Sequence, residues 1–189
     1  MFNRSFVSIV LFAALMVVLS MVPPVPIAGM SVPITLQALG VMLAGCILGA
    51  RNGALAVLLY LLMAAAGLPV LPGGRGGLGV FAGPTGGFLI GMFFGAAVCG
   101  WLGTLLTRRA RGPAGVMGAY LAAALTGGMG VVFLFGIPWL AAETGMGLHK
   151  ATLAMGVFVP GGVLKAVVAA VIAYRVQRVW PAAGLRRAP

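Results

Sequence analysis

Apolar residues occupy this chain in long blocks rather than in alternation, and the blocks are separated by glycine and proline. A helix needs about 20 apolar residues to cross the hydrocarbon core of a bilayer. Six stretches supply that or come close: 5–22, 34–50, 52–67, 86–106, 115–138 and 161–180. The third offers about 16 residues and is short enough to lie partly buried within a bundle. Gly and Pro cluster at 23–33, 67–87 and around 136–147, which reads as re-entrant or surface loops. The pattern predicts an all-α integral membrane protein, a bundle of six transmembrane helices forming one domain over 1–189, with no long polar linker.

Small residues recur every four positions within the blocks. The fourth carries Gly87, Gly91, Gly95, Cys99 and Gly103, the fifth Gly118, Ala122, Thr126 and Gly130, and the sixth Gly162, Ala166 and Ala170. Membrane helices associate by close approach along such faces, so these rows are expected to pack inside the bundle, with docking to another membrane protein as the alternative.

Composition agrees with the pattern. Of 189 residues, 62% are apolar and 7% charged, against about 25% charged in ordinary globular chains; the mean hydropathy is +1.17. Arg4 followed by eighteen mostly apolar residues is longer than a signal-peptide core, and Met21-Val22-Pro23-Pro24 is a poor cleavage site, so the first span is expected to be retained. With the N-terminus inside, Arg4, Arg51, Arg108, Arg109, Arg111, Arg175, Arg178, Arg186 and Arg187 fall on the cytoplasmic side. Arg75, Lys150 and Lys165 fall on the other. Cytoplasmic loops collect Lys and Arg, so both termini are expected in the cytoplasm and the protein in the plasma membrane. The basic residues mark topology beside anionic lipid rather than a nucleic-acid surface.

The missing chemistry narrows the function. The single acid, Glu143, is expected to fall in a loop, whereas an ion-coupled carrier normally needs an ionisable group within the membrane. No Gly-x4-Gly-Lys-Ser/Thr loop is present. One His, two separated Cys and one Glu do not suggest a metal site, and no cofactor is expected. Cys46 and Cys99 lie in apolar runs and suggest no disulfide framework. None of the four serines sits on a glycine-rich turn with His149 as base. Gly74, Gly76 and Gly79 fit G-x-G-x-x-G, but no βαβ unit surrounds them. The protein is not read as an enzyme, and any active transport must be energised by other chains.

The polar groups left for a ligand gather toward the outer side. Thr35 and Gln37 begin the second span, Arg75 lies in the loop after the third, Thr85 precedes the fourth, and Lys165 lies four residues into the last. Each has a structural alternative: an interhelical hydrogen bond for Gln37, a lipid headgroup for Arg75, a helix cap for Thr85 and snorkelling for Lys165. Trp101, Trp139 and Trp180 suit interfacial anchors. Amides, hydroxyls and cations with almost no carboxylate suit a small anionic molecule with polar and apolar parts.

These residues also carry a resemblance. Pro33-Ile34-Thr35-Leu36-Gln37, Gly40-Val41-Met42-Leu43-Ala44-Gly45, Leu58-Leu59-Tyr60-Leu61-Leu62, Ala65-Ala66-Gly67-Leu68-Pro69-Val70, Gly76-Gly77 and Gly83-Pro84-Thr85-Gly86-Gly87-Phe88 resemble the BioY family. Its members are the biotin-specific substrate-binding (S) components of energy-coupling factor (ECF) transporters. The similarity runs from about residue 8 to 175. It implies a six-helix component that captures biotin from outside and hands it to a module of one membrane coupling (T) protein and two ABC-type ATPase subunits. Variants of the reading are a different small vitamin or a solitary carrier without ATPases; a structural subunit with no ligand is a further alternative.

The family pattern Gly-Asp-x-x-Lys at the start of the last helix stands here as Gly161-Gly162-Val163-Leu164-Lys165. The resemblance thus implies ligand roles for Gly161 and Lys165, with Gly162 where the acid would be. The Ala-x-x-x-Ala docking face on the first helix is also altered, with Val17 following Ala13 and Val18 following Ala14.

Overall fold

The computed structural model describes residues 4–25 and 32–179. Trp180, Arg186, Arg187 and part of the proline-rich segment 23–33 lie outside them. Seven α-helices follow in order: α1 Arg4–Met21, α2 Gln37–Ala65, α3 Gly86–Arg109, α4 Gly112–Ala123, α5 Val132–Thr144, α6 Leu148–Met155 and α7 Phe158–Val179. A π-helical stretch, Ala124–Val131, joins α4 to α5, making 112–144 one continuous helical unit.

The second and third expected spans are the two arms of α2. Gly49 breaks the element with φ 79° and ψ −179°, a combination essentially restricted to glycine. Beyond it the chain doubles back. A Cβ on Gly53 would lie 2.7 Å from the Ala44 carbonyl oxygen, and the Tyr60 hydroxyl meets Gln37 Nε2 at 3.0 Å. The turn falls at Gly49 rather than near residue 51. The second arm is buried through Ala54, Ala56, Val57, Tyr60, Leu61 and Ala64, as its shortness suggests. Counting both arms, six segments run through the bundle.

The glycine row of α3 packs inside the molecule. Gly87 meets Trp139 and Phe135, Gly91 meets Val132 and Phe135, Gly95 meets Gly127, and Gly103 meets Tyr120. On α7, Ala166 and Ala170 are buried and Gly162 faces Met129. The row on 118–130 departs from expectation: Gly118, Ala122, Thr126 and Gly130 are all exposed, and a Cβ on Gly118 would meet nothing within 4 Å. The buried face is the adjacent one, through Ala119, Tyr120, Ala123, Ala124, Gly127 and Gly128. Spacing identifies a smooth stripe, but burial depends on where the neighbouring helices stand.

Two further expectations are corrected. The region around His149 and Lys150, expected as loop, forms the short helix α6. The last helix begins at Phe158, so Lys165 and Gly161 lie deeper within it than supposed. Cys46 and Cys99 meet with sulfurs 3.4 Å apart as free thiols, pinning the first arm of α2 to α3. Gln177 donates to the Ile47 carbonyl at 2.9 Å, tying the end of α7 to the Gly49 turn.

Candidate functional site

A buried hydrogen-bond hub organises one end of the bundle. Tyr60, fully buried, places its hydroxyl 2.7 Å from Ser20 Oγ of α1, 3.0 Å from Gln37 Nε2 and 3.2 Å from the Val70 carbonyl oxygen. The single phenolic proton goes to Ser20 or to Val70. In either case Gln37 must donate, which fixes its amide orientation. Gln37 itself lines the cavity described next.

The loop after α2 is folded tightly over this end. Gly77 N–H donates to the Ala64 carbonyl at 2.7 Å, and Leu71 and Arg75 exchange backbone bonds of 3.0 and 3.3 Å. Arg75 is further held by its Nε, which donates to the Pro72 carbonyl at 3.1 Å. Val25 and Ile34 exchange backbone bonds of 2.9 and 3.0 Å. Trp139 Nε1 donates to Gly83 at 3.0 Å, so this tryptophan fastens the loop before α3, whereas Trp101 is exposed. Of the three glycines of the G-x-G-x-x-G match, Gly74 and Gly76 lie in this loop and Gly79 in a single 3-10 turn, Leu78–Val80, and none opens an α-helix.

Beneath the loops is a cavity. Thr35, Gln37, Arg75, Thr85 and Lys165 all line it, together with a wall of apolar side chains from α2, α3, α5 and α7. Five of the six residues singled out in the sequence are therefore brought together from four separate segments. Gly161 is not among the lining residues; Gly162 takes the wall position instead. Arg75 is exposed at the rim and Lys165 half-buried. Val163, Leu164, Val167 and Val168 around Lys165 are exposed, so the lysine leaves the outward face of α7 for the cavity face. Thr85 precedes α3 as supposed, but its side chain makes no capping bond.

The methionines of the wall, Met42, Met92, Met129 and Met155, escape sequence reading. A methionine in an apolar helix looks the same whether it faces lipid or a cavity; the one local signal is the run Gly127-Gly128-Met129-Gly130. Among the described lining residues, Arg75 and Lys165 are the only Lys or Arg side chains, and no Asp or Glu accompanies them. Such a site can hold a small anion with an apolar body, orienting it through two cations, an amide oxygen and two hydroxyls. It offers no nucleophile and base in partnership.

The chain is similar to known proteins over nearly its whole length. The family model described as the BioY family matches residues 2–182. A protein named biotin transporter BioY from Rhizobium etli is 48% identical over 181 residues, covering 96% of this chain and 97% of that protein. Its namesake from Rhodobacter capsulatus is 46% identical over 194 residues, covering 98% and 99%. A crystal structure described as the S-component for biotin from an ECF-type ABC transporter is similar with a TM-score of 0.86 at 32% identity, covering 94% of this chain and 95% of that one. The family model and these relatives, matched over nearly the whole chain, show that it belongs to the BioY family.

Proposed function

We propose that this protein is the substrate-capture S component of an ECF-type importer, binding biotin from the extracytoplasmic side and releasing it inward with energy from partner chains. The carrying observation is a cavity containing two cations and no carboxylate, at the end of the bundle opposite Arg51, Arg108, Arg109 and Arg111. Arginines accumulate on the cytoplasmic side of membrane proteins, which directs the cavity outward and puts both termini inside.

Biotin has a carboxylate, an apolar chain and fused rings, and a ureido group with two N–H donors and a carbonyl. Lys165 is the anchor for the carboxylate and Arg75 supports it from the rim. Gln37 Oε1, held by Tyr60, accepts a ureido N–H, and the hydroxyls of Thr35 and Thr85 serve the remaining polar atoms. Without an acid at Gly162, the amide oxygen supplies the acceptor. A charge-assisted bond in an apolar cavity is stronger than one in water, so few contacts suffice. The protein is not an enzyme; ATP hydrolysis belongs to two ABC-type ATPase subunits joined through a membrane coupling protein.

Calorimetric titration of the purified protein with biotin is expected to show saturable binding below micromolar concentration. Its absence at micromolar biotin removes the proposal. Lys165→Ala is expected to weaken biotin by about 1–3 kcal/mol through loss of the charged partner, while the uncharged biotin amide changes little. Equal losses for both ligands would reject Lys165 as the carboxylate anchor.

A further inference from the structure

Four cavity-lining residues form a chain of methionine seated on glycine that crosses three elements. Met42 of α2 lies over Gly128 of the π-helical stretch, where a Cβ would collide with its side chain. The next residue, Met129, lies over Gly162 of α7. A Cβ built on Gly162 would stand 2.6 Å from Met129 Sδ and 3.5 Å from its Cγ, and among the described residues beyond its own helix backbone it would meet no other atom within 4 Å. All four residues line the cavity.

The π-helical register makes this possible. Three consecutive residues serve three neighbours: Gly127 packs on Cys99 and Gly95 of α3, Gly128 on α2, and Met129 on α7. Single π turns inside α-helices recur at functional sites. Here the turn spends two glycines on close packing and delivers one long, adaptable thioether to the wall. Lys165 lies one turn beyond Gly162 and, like Met129 and Gly162, lines the cavity.

We propose that Met129 is a specificity-determining residue that gauges ligand length: its thioether rests in the space left by the missing side chain of Gly162, and that position sets the room beside Lys165. The inference rests on the reading of the cavity as a biotin site and names the residue that selects among ligands there. A methyl group on Gly162 would displace Met129, and because Met129 lines the cavity, its displacement changes the room there. Truncating Met129 lengthens the same space.

The test compares biotin with norbiotin and homobiotin, whose side chains are one methylene shorter and longer. Binding to the wild type, Met129→Ala, Gly162→Ala and the double variant is measured by calorimetry in detergent. Met129→Ala should shift the homobiotin-to-biotin affinity ratio about tenfold toward homobiotin, the discrimination one methylene carries in an apolar pocket. Gly162→Ala should weaken biotin about tenfold or more on the same basis, and the double variant should bind biotin as Met129→Ala does, because the clash is gone.

An unchanged ratio in Met129→Ala overturns the proposal. So does a Gly162→Ala loss that is the same with and without Met129. Should Gly162→Ala fail to fold, the ratio measured on Met129→Ala decides alone. A wild type that binds none of the three ligands defeats the biotin reading itself, a result distinct from a wild type that binds biotin with a ratio indifferent to Met129.

Discussion

Tyr60 shows how one side chain can serve stability and the site together. Its hydroxyl joins α1, both arms of α2 and the following loop through Ser20, Gln37 and Val70. Tyr60→Phe keeps the ring packing but leaves these partners without their hub, and an unsatisfied buried polar group costs about 1–3 kcal/mol. A lowered melting temperature in detergent is expected, with a several-fold weaker biotin affinity because Gln37 loses the bond that orients its amide. Unchanged affinity with lowered stability would make the hub purely structural. At this scale much of the site was legible: polar residues are so scarce in this chain that Thr35, Gln37, Arg75, Thr85 and Lys165 stand out, and all five reach the cavity. Met129 was not read from the sequence: apart from its glycine neighbours Gly127, Gly128 and Gly130, an apolar helix does not mark which side chain meets lipid and which a void.

At the level of elements, three glycines make contrasting predictions. Gly49 has no neighbour within 4 Å of an added Cβ but a backbone conformation at φ 79°; Gly49→Ala should cost about 1–3 kcal/mol through backbone strain alone. Gly100 has ordinary helical geometry, but its Cβ would strike the backbone of Gly49 and Ala50, which cannot rotate aside. Gly100→Ala should cost about 1–3 kcal/mol or more by overpacking. Gly118 is exposed with nothing near it. Gly118→Ala should be neutral or stabilise by up to about 1 kcal/mol through helix propensity. Thermal melting of the three variants checks the set. A destabilised Gly118→Ala would return that row to the interior, where its spacing had suggested it lay. The two small-residue rows look alike in sequence; only the positions of α2, α3 and α5 make one internal and the other external.

For the whole molecule, the decisive property is a lack of coupling chemistry. Glu143, the sole acid, lies near the end of α5 and does not line the cavity. Vesicles containing only this chain are expected to show no uphill biotin uptake under a proton or sodium gradient. Addition of the coupling protein and two ATPase subunits should confer ATP-dependent accumulation. Gradient-driven accumulation by the chain alone would overturn the division of labour.

The membrane setting, the six segments, the arginine-poor end and the small set of polar groups for a ligand could be read along the chain. These follow from one-dimensional quantities: the length of apolar blocks against bilayer thickness, and the rarity of charge within them. The remainder came from packing in three dimensions. It folded α2 on Gly49, turned Lys165 from lipid toward the cavity, replaced Gly161 by Gly162 on the wall and seated Met129 over that glycine. Each depends on which face of a helix meets a neighbour. In a chain where lipid and core are equally apolar, hydrophobicity carries no such information, and the close fit of side chains against glycine supplies it.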